Sequence, residues 1–181
     1  MAETFQQYTA RMLSLAEGAD PLTALSTTPA RIAALVAGRP IADLRWTPTS
    51  GRWSIVQILS HLADTEIVFA YRVRMMLSAS GTTIQAFDQD AWSRSQHADA
   101  SDPDASMALL AAVRVSMVSL LRSLTDEELD RYGMHEERGK ETIRHLMRMY
   151  TGHDRNHLAQ IERLLTASHS TKSRRPEDTK Q

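Results

Sequence analysis

Apolar residues recur along most of this chain in steps of three and four, the period of a helix that turns one face inward. Phe5, Tyr8, Met12 and Leu15 form the first such stripe, with Gly18 at the expected end, and predict a short amphipathic helix over residues 3–17. Asp20-Pro21 supplies an N-cap and a first-turn proline for a second helical region that Gly38 closes. Thr28-Pro29 repeats that start signal inside it and predicts a kink or a break. Residues 39–52, with Pro40, Pro48 and Gly51, read as an ordered loop.

The clearest helix starts at Ser54, where Ser54 and Gln57 have the spacing of a capping box. Its stripe is Ile55, Leu59, Leu62, Phe69, Val73 and Met76, running to about Ala79, and the step between Leu62 and Phe69 is filled by an acid, Glu66. Residues 81–101 read as a connection with a helical piece around 88–95 that carries Phe87 and Trp92. Asp102-Pro103 opens the next helix, with the stripe Leu110, Val113, Met117, Leu120 and Leu124. Thr125 and Glu128 make a further capping box, a polar loop passes through Gly133 and Gly139, and a last long helix runs from about Thr142 to Ala167. Helices with one apolar face each can bury those faces only against one another, so the fold class is all-α and an antiparallel bundle is the economical arrangement. Residues 1–168 form one domain, with short N-terminal and connecting helices beside the long ones, and loops long enough to leave a pocket at one end. From 169 to 181 the Ser, Thr, Lys, Arg, Pro and Glu cannot bury enough apolar area to offset chain entropy, and a disordered polar tail is expected.

Composition narrows the functions. The 21 basic and 22 acidic residues leave a formal net charge of -1, with no field to gather nucleic acid or an anionic membrane. The absence of cysteine excludes disulfides, thiolate ligands and a cysteine nucleophile. The N-terminus has no basic start followed by an apolar run, and no stretch approaches the ~20 apolar residues that span a bilayer, so a cytoplasmic protein without membrane contact is expected.

Candidate chemistry sits on the last helix. Its inward stripe runs Ile143, Leu146, Tyr150, His153, His157, Ile161 and Leu164, so two histidines stand where leucine is expected. Four residues of helix advance ~6 Å and turn only ~40° beyond a full turn, so both imidazoles leave the same face and can share one ion. His61 flanks the seam of the helix that begins at Ser54 and is the candidate third ligand. Three neutral imidazoles leave a divalent ion with open positions, as a reactive centre requires, whereas a structural zinc has four protein ligands. The competing reading is a set of buried, hydrogen-bonded packing histidines. Glu66 and Asp64 are candidates to orient a histidine or take a proton, and Asp64 reads equally as a solvated carboxylate. Asp154 and Asn156 read as helix-surface groups, His97, His135, His145 and His169 have no assigned role, and the nine methionines read as core filler.

The runs Trp53-Ser54-Ile55-Val56-Gln57-Ile58-Leu59-Ser60-His61-Leu62-Ala63-Asp64-Thr65-Glu66, Phe87-Asp88-Gln89-Asp90-Ala91-Trp92 and Gly152-His153-Asp154-Arg155-Asn156-His157-Leu158-Ala159-Gln160-Ile161 together resemble the DinB-like superfamily. The resemblance spans residues 22–165, and its paired His-Leu-x-x-x-Glu and His-x-x-x-His signature is more specific than either half. It implies an antiparallel four-helix bundle, commonly a homodimer, holding a divalent ion of the zinc, nickel or iron class through His61, His153 and His157. Relatives of this kind include transferases of low-molecular-weight thiols, a thiol-dependent isomerase, and members named as metal-dependent hydrolases.

The first functional expectation is therefore a metal-dependent transferase that joins a small thiol to an electrophile, the ion lowering the thiol's pKa. The enzymatic rival is a metal-dependent hydrolase that activates water at the same position. A metal-binding stress or sensor module without catalysis is the third, since holding an ion does not establish a reaction. On every version the ion is expected to leave below pH ~6, where imidazoles of ordinary pKa protonate.

Overall fold

Side-chain caps set where the helices begin. The structure is a computed structural model and describes residues 3–173. In α1 (Phe5–Leu15) the Thr4 hydroxyl and the Gln7 side chain satisfy one another's backbone N–H groups, and in α2 (Pro21–Val36) the Asp20 carboxylate accepts from the N–H of Thr23. After the single turn of α3 (Ile41–Leu44), Ser54 and Gln57 close a capping box on α4 (Ile55–Ser78). Asp88 caps α5 (Gln89–Ser95), Asp102 caps α6 (Pro103–Ser123), and the Thr125–Glu128 box starts the single turn of α7 (Asp126–Leu129). The last helix, α8 (Ile143–Ser173), starts where the Thr142 hydroxyl accepts from the N–H of His145. It continues past Ala167 through the first residues of the expected tail, whose remainder, 174–181, lies outside the described residues.

The long helices α2, α4, α6 and α8 form the expected bundle. Both α4 and α2 pack against α6 and against α8, while α1 lies along α8. That contact is backbone-close: a Cβ on Gly152, in the middle of α8, would stand 1.8 Å from the carbonyl oxygen of Met12. Glycine is required there by the approach of another main chain.

Four features depart from the sequence reading. The connections expected to be irregular contain a small sheet of β1 (Thr82–Ile84), β2 (Tyr132–His135) and β3 (Gly139–Thr142), with β1 parallel to β2 and β2 antiparallel to β3. Gly133 leaves room for the Ile84 side chain, whose tip a Cβ there would approach to 2.2 Å. Second, α2 runs through Pro29 without a break. The carbonyl that the missing N–H would have met, that of Leu25, instead accepts a 2.9 Å hydrogen bond from Arg114 Nη1 on α6. Third, the buried line of α6 is Leu110, Arg114, Met117, Val118 and Leu121, a face rotated from the expected stripe, and Val113, Leu120 and Leu124 are only partly buried. An 18-residue window of this 21-residue helix has a mean hydropathy of 1.6, so by length and composition alone the helix could cross a membrane, contrary to the sequence reading. Its central arginine, however, is paired inside the bundle.

The core is divided in two. One apolar cluster includes Phe69, Val73, Met117 and Tyr150, and the other includes Ile58, Leu62, Leu110, Leu158 and Ile161. Between them along α4, α6 and α8 lies a buried polar layer of His61, Thr65, Glu66, Arg114, His153, Asp154 and His157.

Candidate metal centre

His61 projects from the second turn of α4, and His153 and His157 project one turn apart from α8, which packs beside it. The three rings are 4–7 % exposed. His153 Nε2 lies 3.0 Å from His61 Nε2 and 3.2 Å from His157 Nε2, and a ligand nitrogen of each ring falls within 4.8 Å of the other two. Two nitrogens each ~2.0–2.1 Å from a shared ion stand about 2.9–3.4 Å apart for angles between right and tetrahedral. Both observed contacts fall inside that range.

Hydrogen bonding makes the cluster electron-rich. His157 Nδ1 lies 3.0 Å from Gln160 Oε1, so this nitrogen carries the proton and the Nε2 lone pair points into the cluster. The Thr65 hydroxyl donates to the His61 carbonyl at 2.6 Å, and it touches the ring nitrogens only at 3.4 Å. Trp53 packs against the His61 ring, with centroids 4.9 Å apart. A single N–H at His153 Nε2 could serve one of its two neighbours, not both. Burial holds all three imidazoles neutral, lowering His61 to about 3, His157 to about 4 and His153 well below the ordinary value, with His157 adding to the effect on the other two. Three uncharged nitrogen donors aimed at one point fit a divalent metal cation.

The two candidate carboxylates lie elsewhere. Glu66, 1 % exposed, pairs with Arg114, whose Nη2 stands 2.7 Å from Glu66 Oε2 without the angle of a hydrogen bond. The same guanidinium meets Asp154 through two hydrogen bonds of 2.7 and 3.3 Å. Burial pushes the Glu66 carboxyl up and the Arg114 charge pulls it down, with burial the larger effect. Asp64 is half-buried and pushed up by burial. Asp154 is a correction to the sequence reading: it is 1 % exposed and holds Arg114 rather than facing solvent. Asn156 sits nearer the surface, accepting from Arg11 Nη1 at 3.1 Å.

A cavity of about 70 Å³, room for more than one water, opens against His61 and His153. Its other lining comes from Tyr8, Thr65, Arg72, Phe87, Gln89 and Arg138, with Leu146, Met149 and Tyr150 behind them. Neither Glu66 nor Asp64 lines it. Phe87 and Gln89, from the connection after β1, and Arg138, from the turn between β2 and β3, thus supply part of its wall.

Residues 24–161, a span that contains His61, His153 and His157, match the family model of the DinB superfamily. The chain belongs to that superfamily. YfiT of Bacillus subtilis, which carries the working name metal-dependent hydrolase, is 30% identical over 142 residues, 77% of this chain and 79% of the relative. A protein of Oceanobacillus iheyensis with the same working name is 30% identical over 121 residues, 66% of this chain and 69% of the relative. The solved structure of Bacillus subtilis YfiT, described as an unusual four-helix bundle topology, superposes with a TM-score of 0.78 at 24% identity. It covers 93% of this chain and 91% of that one, so the two chains share one fold.

Sequence reasoning missed two arginines. Arg114 was foreshadowed by Glu66, because an acid on an apolar seam needs a buried cation. Arg72 had no such signal: it lies beside Val73 on the seam of α4 and is 5 % exposed. His135, assigned no role, is buried beside it on β2.

Proposed function

We propose that this protein is a metal-dependent enzyme acting on a small substrate, in which His61, His153 and His157 hold one divalent ion and the reaction is hydrolytic. The observation that carries this is the convergence of three buried imidazoles, two of which, His61 and His153, border a cavity. The working names of the relatives support hydrolysis ahead of thiol transfer, which was the first expectation. An ion held there would supply Lewis acidity toward a carbonyl and would lower the pKa of a bound water or thiol. The chain's own residues do the rest. Gln160 fixes the tautomer of His157, and Trp53 and Thr65 hold the His61 ring. Tyr8, Gln89 and Tyr150 offer polar atoms to a substrate in the cavity. Glu66 acts on the frame through Arg114, and Asp64, which does not line the cavity, is assigned no proton-transfer step.

The test is metal content on protein purified without an affinity tag, beside His61→Ala and His153→Ala, followed by assays on small esters and amides with and without small thiols. About one ion per chain in the wild type is expected. Each variant should lose more than the ~10–100-fold in affinity typical of removing a group behind a ligand. Equal metal content in all three samples would overturn the reading. Turnover that requires an added thiol would move the assignment to transferase, and metal without turnover on either panel would move it to a binding module.

A further inference from the structure

We propose that Arg72, with Arg138, forms an anion-recognition subsite in the cavity beside the three histidines, and that this subsite takes the carboxylate of a small substrate. Arg72 reaches the cavity from α4 and is 5 % exposed. A buried guanidinium is ordinarily matched by a carboxylate, because its lost hydration must be replaced. Among the described residues none stands within ion-pair distance of Arg72. Its direct partners are neutral, the carbonyl of Gln85, 2.7 Å from Nη2, and the phenol of Tyr150, while the charges that act on it from further off, those of Arg138 and Glu141, are paired with each other. Arg138, the second guanidinium on the cavity wall, is already matched by a two-point pair with Glu141 at 2.7 and 3.0 Å. The two arginines and one carboxylate leave one positive charge uncompensated at the cavity.

His135 adds to the deficit of acceptors. Its Nδ1 accepts from the N–H of Glu137 at 3.2 Å, which puts the ring's proton on Nε2 while burial keeps the ring neutral. That Nε2–H faces Arg72 Nη2 at 3.4 Å, so two donors confront each other with no acceptor between them. A carboxylate answers this arrangement, since its two in-plane oxygens match the planar fork of a guanidinium. The cavity of about 70 Å³ admits such a head group and no large phosphorylated molecule. Phe87, Leu146 and Met149 give the attached carbon an apolar wall, and His61 and His153 border the same space. The carboxylate would thus orient a substrate toward the centre described above. Its link to catalysis rests on the proposed function, while the anion binding itself does not.

Acetate and its neutral isostere acetamide are the probes, titrated into the full-length chain at constant ionic strength and followed by ligand NMR. Both metal-loaded and chelator-stripped protein are measured. Acetate should bind at least about tenfold more tightly than acetamide, the worth of one charge-assisted hydrogen bond, with and without metal. Arg72→Gln should abolish that preference without weakening acetamide. Equal binding of the two probes by the wild type would overturn the proposal, as would acetate affinity unchanged in Arg72→Gln. Should Arg72→Gln fail to fold, Arg72→Lys decides, because a lysine keeps the charge and loses the fork: unchanged acetate affinity overturns the proposal and a clear loss supports it. A preference found only in loaded protein and retained in Arg72→Gln assigns acetate to the ion and also overturns it. A preference that depends on Arg72 in stripped protein supports the subsite even if the metal reading has failed.

Discussion

Arg114→Met removes the one guanidinium that faces both Glu66 and Asp154, and the structure sets the size of the effect. Both carboxylates are 1 % exposed, so neither can recover its hydration without opening the bundle. Breaking a buried ion pair by removing one partner costs about 3–5 kcal/mol, and the Leu25 carbonyl left bare beside Pro29 adds about 1 kcal/mol. Against a total stability of about 5–15 kcal/mol for a domain, the variant should be marginal. The cost should also depend on pH. Burial already holds the Glu66 carboxyl above its ordinary value against the pull of Arg114, and without that pull it rises further. A raised acid stabilises the fold only below its unfolded pKa and loses that contribution as pH rises through its folded value. Urea unfolding of chelator-treated protein at pH 5 and pH 8 measures both effects. The gap between wild type and Arg114→Met should be wider at pH 8, and replacing all three residues with apolar ones should recover most of it. A cost below about 1 kcal/mol at pH 8, or one that widens toward pH 5, would refute the view that this arginine is held by charge rather than by packing.

Three further outcomes follow from the structure. With the ion removed, the depressed values of His61 (about 3) and His157 (about 4) mean that the fold takes up protons later than the unfolded chain, so stability is present above pH ~6.5 and is lost as pH falls toward about 4. His157 alone should cost about 2 kcal/mol at pH 5 relative to pH 7 in urea unfolding of stripped protein, and an equal or higher midpoint at pH 5 would count against it. The same depression should let the protein keep its ion below the pH ~6 that unperturbed imidazoles imply. Gly152→Ala should destabilise by at least ~1–3 kcal/mol despite the better helix propensity of alanine, because the new Cβ meets the main chain of Met12 rather than a movable side chain. Thermal unfolding with proteolysis of α1 as a second readout checks this, and an unchanged midpoint would mean that α1 is not seated as described.

What was legible in the sequence was local. Capping residues and three-four spacing place α1, α4 and the start of α8 to within a few residues, because a helix is specified by neighbours along the chain. The pair His153 and His157 was visible for the same reason. The sheet was not, since its strands are three or four residues long and their pairing depends on a distant fit, Ile84 against Gly133. The face of α6 was misjudged because Arg114 occupies a core position that periodicity assigns to an apolar residue, leaving Val113 as the apparent member of the stripe. Pro29 was read as a kink or a break because the residue that takes up the freed Leu25 carbonyl, Arg114, lies 89 positions after Leu25. Arg72 was invisible because nothing in its own segment marks it as buried without a counter-charge.

The position of the ion-paired frame explains why a polar layer that stabilises the bundle weakly would sit where it does. Asp154 follows His153 directly, and one residue of helix turns the chain by about 100°, so the two side chains leave α8 toward different neighbours. Asp154 reaches Arg114 on α6 while His153 reaches His61 on α4. Arg114 is in turn tied to α2 through the Leu25 carbonyl and to α4 through Glu66. An apolar seam would allow α8 to rotate or slide by fractions of a turn at small cost, but a two-point guanidinium–carboxylate contact does not. The frame thus sets the rotation of α8 about its axis, and with it the direction of two of the three imidazoles. The Arg114→Met variant should therefore loosen metal binding as well as the fold, even though Arg114 is no ligand. Restoring stability with the all-apolar triple substitution should leave that loosened binding in place, and metal affinity recovered in full by the triple variant would show that the frame does not orient the histidines.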